Sequence, residues 1–375
     1  MTAPVVGTTS KPVAALAKVR RRVTFVLDSA QFGGAETYVV RLVEHLPEDY
    51  ESTLVVVEPV LEQLAHTAER MHVQLIPVER VDTKFDLTRL ARQARAVVST
   101  KPDLVHVNLA TATHSRHLLR VLALTKTPSI VTLHSVASIQ PGLQRSALRA
   151  TYRRLAGAIA VSEVTARQLR EELGVDRRAV HVIRNGVERR ERQSAKSSAI
   201  IRIGTLGRLS REKGLDVLVE AAKRSSLERE AIFAIAGDGP ELESLQRQAA
   251  GLPVVFKGRA DVSSFLANLD VFCLPSRAEA LPFALLEAMM AGLPCVATAV
   301  GDVPDALGPA GVLVPPEDPD ALAAALRELT RDEGRRKALG EAAHARAIER
   351  YSLDRMVAET VAVYEEVLGA QRRRP

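Results

Sequence analysis

RVTFVLDSAQFGGAETYVVRLVEHL, residues 22–46, sets the fold class. Its opening RVTFVL is rich in β-branched and aromatic residues, the composition of a strand. The pair Gly33-Gly34 breaks that run, and in AETYVVRLVEHL the apolar residues return at helical spacing. The same strand, loop, helix unit recurs outward from here: STLVVVEP (52–59), PDLVHVN (102–108), PSIVTLH (128–134) and GAIAVS (157–162) lead in turn into helical sequence. Strands alternating with helices imply a parallel sheet covered on both faces.

The stretch GVERRERQSAKSSA (186–199) is polar and lacks apolar periodicity, as a surface linker would. Alternation then restarts with AIIRIGTLG (199–207), AIFAIAG (231–237), LPVVFKG (252–258), DVFCLP (270–275), PCVATA (294–299) and GVLVP (311–315). The expectation is an α/β protein of two Rossmann-like doubly wound domains facing across a cleft. Their boundaries fall at 21–190 and 191–350, after a disordered extension at 1–20. A C-terminal helix at 351–375 is expected to pack back on the first domain. Open α/β sheets bind ligands at the carboxyl ends of their strands, so the chemistry is sought in the cleft.

Composition narrows the partners. Lys plus Arg number 51 against 45 Asp plus Glu, a net charge of +6, with denser basic runs at 18–22, 145–154, 177–190 and 372–374. Aromatics make up only 3%, so neither a stacking platform nor a basic recognition helix for nucleic acid is present. A basic face still suits peripheral contact with acidic lipid or an anionic acceptor. Cys273 and Cys295 lie in short apolar runs without metal-ligand or CxxC spacing and read as buried thiols of a reducing compartment. The N-terminus lacks a secretory pattern and no apolar run approaches membrane-spanning length, which together predict a cytoplasmic protein.

Three constellations carry chemistry. Gly33-Gly34 precedes a helix, where backbone can approach a ligand and free N–H groups favour an anion, although a plain tight turn has the same signature. GRLSREKG (207–214) places Arg208 past a strand end and Lys213 at the expected start of the next helix. A cation there opposes the helix dipole unless an anion is bound, and the two together suit a diphosphate. RAEALPFALLEAMMAGLPCVATAVGD (277–302) holds Glu279 in a loop and Glu287 in an apolar helix whose first turn accommodates Pro282. A buried carboxylate needs a protein cation or a polar ligand; two vicinal ribose hydroxyls would serve, as would an arginine. His134 ends PSIVTLH at a carboxyl edge, facing a ligand or bonded in the core. His106 and His114 lack metal spacing, and Asp318-Pro319-Asp320 reads as a capped helix start rather than a metal motif, so no metal site is expected.

FGGAE, VHVN, TLH, AVSE, NGVE, LGRLSREKG, AGDGPE, FKG and the E-x7-E segment occur in the order found in retaining glycosyltransferases of family 4, which this chain resembles from about Val23 to Leu368. The resemblance implies a GT-B arrangement and a metal-independent enzyme. It would move a hexose-type sugar from a UDP- or GDP-linked donor to a hydroxyl of a glycan, lipid or small molecule, with no separate cofactor. By the same likeness Arg208 and Lys213 neutralise the diphosphate, and Glu279 contacts the donor sugar. Glu287 holds the ribose, Gly33 and Gly34 approach the phosphates, and His134 meets the sugar. Leu281 and Phe283 line the donor site, and Gly258 with Arg259 lies where backbone reads the base. Acceptor-lining loops would be 110–117 and 135–142. Two departures stand out: Ala280-Leu281-Pro282 replaces a Gly-Phe-Gly, and Gly301-Asp302 replaces a Gly-Gly, bringing an extra carboxylate near the phosphate end. A sugar-nucleotide epimerase of related fold, or a non-catalytic nucleotide-sugar-binding protein, would be the alternatives.

Overall fold

The computed structural model describes residues 20–373 apart from 30, 82, 84, 191–199 and 228. The N-terminal extension and most of the polar stretch before 200 therefore lie outside the described residues. The chain forms two wholly parallel sheets. The first contains β1 (Arg21–Leu27), β2 (Tyr50–Val57), β3 (Gln74–Val78), β4 (Leu104–Leu109), β5 (Ser129–Leu133), β6 (Gly157–Ala160) and β7 (Val180–Val182), in spatial order β3-β2-β1-β4-β5-β6-β7. The second contains β8 (Ile201–Leu206), β9 (Ala231–Ala236), β10 (Val254–Gly258), β11 (Val271–Leu274), β12 (Cys295–Thr298) and β13 (Val312–Val314), in order β10-β9-β8-β11-β12-β13. In each sheet the winding reverses beside the first strand, between β1 and β4 and between β8 and β11. The loops leaving those strands diverge there and open a crevice at the carboxyl edge.

Two strands were not legible as such. β3 carries Pro77 and sits at the sheet edge, where a missing N–H costs no ladder bond on the free side. β7 is three residues long and completes the opposite edge. The central strands β4, β5 and β6 are buried along their whole length, which is why they read as continuous apolar runs. Cys273 and Cys295 lie buried and unbridged on the adjacent strands β11 and β12, and burial pushes both thiols well above their ordinary range.

The Leu353–Arg372 helix crosses to the first sheet. Its Tyr364 hydroxyl lies 2.6 Å from His106 Nδ1, and His106 Nε2 lies 2.7 Å from Thr132 Oγ1, so both nitrogens of this buried imidazole are satisfied. Burial holds His106 and His134 down to about 3. Both stay neutral in the fold while the unfolded chain protonates them below about pH 6.5. Their contribution to stability is therefore complete above that pH and is lost as pH falls from 6.5 towards 3. Each removes about 2 kcal/mol between pH 7 and pH 5. Two imidazole NMR signals that do not titrate across this range, alongside an unfolding free energy that drops, are the expected result. Titration of both rings near pH 6.5 in the folded protein is the contrary one. The buried carboxyls of Asp28 and Glu36, which desolvation holds above their ordinary range, act in the opposite sense.

Candidate active site

The Gly34–His45 helix is the scaffold of the first half's share of the site. Gly33 N–H donates to Glu36 Oε2 at 2.8 Å, closing the turn after β1. A Cβ on Gly34 would lie 3.6 Å from the Phe283 ring, so this loop abuts the second half closely. One residue on, the Ala35 carbonyl accepts from Asn108 Nδ2 at 2.9 Å, and Asn108 Oδ1 lies 2.7 Å from His134 Nε2. A carbonyl only accepts, so Asn108 must present its oxygen to the imidazole, and His134 carries its proton on Nε2. That leaves Nδ1 with its lone pair, on a ring packed edge-on to Tyr38 at 5.0 Å.

In the second half, Lys213 Nζ donates to Glu279 Oε1 at 2.7 Å, and Ser276 Oγ donates to the same oxygen at 2.7 Å. Lys213 closes a short 3₁₀ turn, Arg211–Lys213, and the helix proper begins at Leu215; the expected helix-start position is corrected by this turn. Gly214 separates the two at φ +62°, where a Cβ would overlap the Pro275 carbonyl. Arg277 fixes the Glu279 loop from the other side, with two 2.7 Å bonds to Asp216 and a pair with Glu317. Arg208 is exposed and has no side-chain partner among the described residues, although a Cβ on its neighbour Gly207 would lie 3.9 Å from Lys213 Cε. Gly258 ends β10 at φ +62° with open space around it, and exposed Arg259 lies 4.0 Å from Asp238. No hydrogen bond or ion pair among the described residues joins Arg208, Gly258 or Arg259 to the Lys213–Glu279 pair.

The crevice is bridged by polar contacts that sequence could not reveal. Glu287 is 7% exposed and pairs with Arg41 of the opposite half, so a protein cation does satisfy this carboxylate. Phe283 lies beneath the same guanidinium, and Asn185 Nδ2 donates to the Leu281 carbonyl at 2.7 Å. Pro282 is the cap before the Phe283–Met290 helix rather than a member of its first turn. Asp302 departs further from expectation. Its carboxylate accepts the backbone N–H groups of Glu163 at 2.7 Å and Val164 at 3.3 Å, so this extra carboxylate caps a helix of the first half. Asp318 caps the Pro319–Arg331 helix through Ala321 N–H.

Beside this crevice the carboxyl ends of β1, β3 and β4 enclose a cavity of about 190 Å³ lined in part by Asp28, Arg80, Thr113, His114 and Arg116. Asp28 Oδ2 accepts from the Ser115 N–H at 3.2 Å and from its hydroxyl at 2.9 Å. Asp28 Oδ1 is buried without a hydrogen bond, with Arg80 Nε 3.9 Å away. Asp28, Arg41 and Arg277 are not singled out by the sequence, and Asp302 is flagged there without its capping role. Only Asp28 carried a usable signal, an acid immediately after the first strand.

Two adjoining family descriptions match this chain. Residues 32–191 match "Glycosyltransferase Family 4" and residues 200–332 match "Glycosyl transferases group 1". The chain belongs to the family 4 glycosyltransferases. One relative, the 2-deoxystreptamine glucosyltransferase of Streptomyces kanamyceticus, is 30% identical over 181 residues, 42% of this chain and 46% of that protein. The chain thus spans about half the length of that relative. The 2-deoxystreptamine N-acetyl-D-glucosaminyltransferase of Streptomyces fradiae is 29% identical over 310 residues, 69% of this chain and 72% of the other. The fold is shared with the crystal structure of HepE of Anabaena in complex with UDP and glucose, at TM-score 0.77 and 20% identity, over 92% of this chain and 100% of that one. It is shared too with a glycosyltransferase of Rickettsia africae, at TM-score 0.79 and 18% identity, over 93% and 99%.

Proposed function

We propose that this family 4 chain transfers a hexose-type sugar from a UDP- or GDP-linked donor to an acceptor hydroxyl with retention of configuration. The observation that carries the reading is the Lys213–Glu279 pair at the carboxyl edge of the second sheet. Departure of a nucleoside diphosphate develops negative charge, which Lys213, held in place by Glu279, can stabilise from a fixed position, with Arg208 as a second cation past the end of β8. Glu279 has Oε1 engaged by Lys213 and Ser276, which leaves Oε2 to accept from a donor-sugar hydroxyl. His134, neutral and with its proton on Nε2, offers Nδ1 as a further acceptor to the sugar. Gly33 and Gly34 let backbone approach the phosphates, while Gly258 and Arg259 flank the base.

Retention follows from the acceptor arriving on the face the diphosphate leaves, with a phosphate oxygen taking the acceptor's proton. In this reading the cations of the chain supply the charge neutralisation. Asp28, which lines the neighbouring cavity, is the acceptor-side residue in this reading, serving a hydroxyl of a glycan, lipid or small molecule. Among the described residues no helix is long and apolar enough to cross a membrane, so a lipid acceptor would be reached by peripheral contact.

A thermal-shift panel of UDP, GDP and ADP sugars tests the assignment. The true donor at one hundred times its dissociation constant adds about 2.7 kcal/mol of stability. Absence of any shift, together with no turnover in acceptor mixtures, removes the reading. Release of free nucleoside diphosphate on turnover distinguishes transfer from epimerisation, in which the nucleotide stays attached.

A further inference from the structure

Arg41 and Glu287 are 246 positions apart and sit on opposite walls of the crevice. Their side chains are only 13% and 7% exposed. Phe283 and Glu287 stand one turn apart on the Phe283–Met290 helix and so share a face. The Arg41 guanidinium lies over the Phe283 ring, 4.7 Å from its centroid, reaches the Gly186 carbonyl at 3.5 Å, and pairs with Glu287 Oε1. Three contacts therefore hold it in one orientation, which the planar fork of arginine suits and a lysine would not reproduce. Glu287 Oε2 has no hydrogen-bond partner among the described residues.

We propose that Arg41 is a positioning residue for donor recognition: carried on the opposite half, it orients Glu287 across the crevice so that Oε2 is left to accept from a ribose hydroxyl. The proposal rests on the reading of Glu287 as the ribose ligand. It gives the crevice a specific coupling, because the carboxylate is fully oriented only when the two halves are together. Without the cation, Glu287 would be a buried, uncompensated charge free to rotate or to take up a proton.

The test reads the preference for a ribose hydroxyl directly. Binding of UDP and GDP is compared with that of their 2′-deoxy forms in wild type, Arg41→Ala, Arg41→Lys and Glu287→Gln, after thermal melts establish that each is folded. Arg41→Gln, which keeps a planar donor group, replaces Arg41→Ala should that variant not fold. Wild type is expected to prefer the ribose form about tenfold, the size of one hydrogen bond to a charged group. Arg41→Ala should reduce the preference to less than about twofold, with Arg41→Lys in between. A purely structural Arg41 would lower the melting temperature and leave this ratio alone. If Glu287→Gln keeps the wild-type ratio, the ribose reading of Glu287 fails. If Glu287→Gln abolishes the ratio while Arg41→Ala preserves it, only the role of Arg41 fails. Tighter donor binding by Arg41→Ala would equally overturn the proposal, since Arg41 would then be competing with the donor.

Discussion

Lys213→Ala lowers turnover of the sugar donor by about 100- to 1,000-fold, the usual cost of deleting one preorganised group that stabilises developing charge. The same change strands Glu279, whose side chain is only 8% exposed and which keeps Ser276 as a partner. Some loss of stability accompanies it for that reason. A double-mutant cycle separates the two effects. In Lys213→Ala/Glu279→Ala the stranded charge is gone, so the melting temperature recovers towards wild type. Turnover does not recover, because neither the diphosphate cation nor the sugar acceptor has been restored. Activity that returned with stability would reduce the pair to an architectural ion pair. Single-turnover measurements at saturating donor make the comparison independent of affinity.

Gly301→Ala produces the second large effect. Gly301 has φ +53°, where a Cβ already costs about 1–2 kcal/mol. Here the added atom would also overlap the carbonyl oxygen of Glu279 and crowd that of Ala280. Backbone has to move to relieve this, which adds about 1–3 kcal/mol by analogy with overpacking. The element that must move is the loop carrying Glu279. Asp302 N–H, which donates to the Ala280 carbonyl at 3.0 Å, would be displaced with it. Urea unfolding should therefore show a total loss of about 3 kcal/mol, with turnover falling alongside. Gly251→Ala is the control: φ there is +79°, but nothing lies within 4 Å, so only the backbone penalty applies. Equal losses at the two positions would mean that the Glu279 loop yields without resistance and that Gly301 has no role in placing it.

Much of the architecture could be read because it is encoded by neighbours. β-branched runs make β4 and β5 strands whatever surrounds them, and the apolar spacing of Ala35, Tyr38, Val39, Leu42 and Val43 makes a helix with one buried face. The alternation of such segments commits the chain to parallel sheets, and the reversal of their winding commits any ligand to the carboxyl edge. β3 and β7 escaped notice because an edge strand tolerates proline and brevity that a central strand does not. Glu279, Lys213 and Glu287 were singled out on charge alone, each conspicuous against a glycine-rich or apolar background.

What those charges touch was decided by the tertiary structure. Whether Glu287 meets a ligand or an arginine turns on Arg41, which by its own sequence context is an ordinary polar position on an amphipathic helix. Asp302 becomes a cap for Glu163 and Val164 only because the segments that follow β6 and β12 meet where the two halves dock. The proton position on His134 follows from Asn108 being held by the Ala35 carbonyl, a chain of contacts that spans three separate segments. Local sterics and periodicity act over a few residues and are written in spacing. Pairing across a crevice depends on how two separately built sheets dock, and spacing within either half carries no information about that.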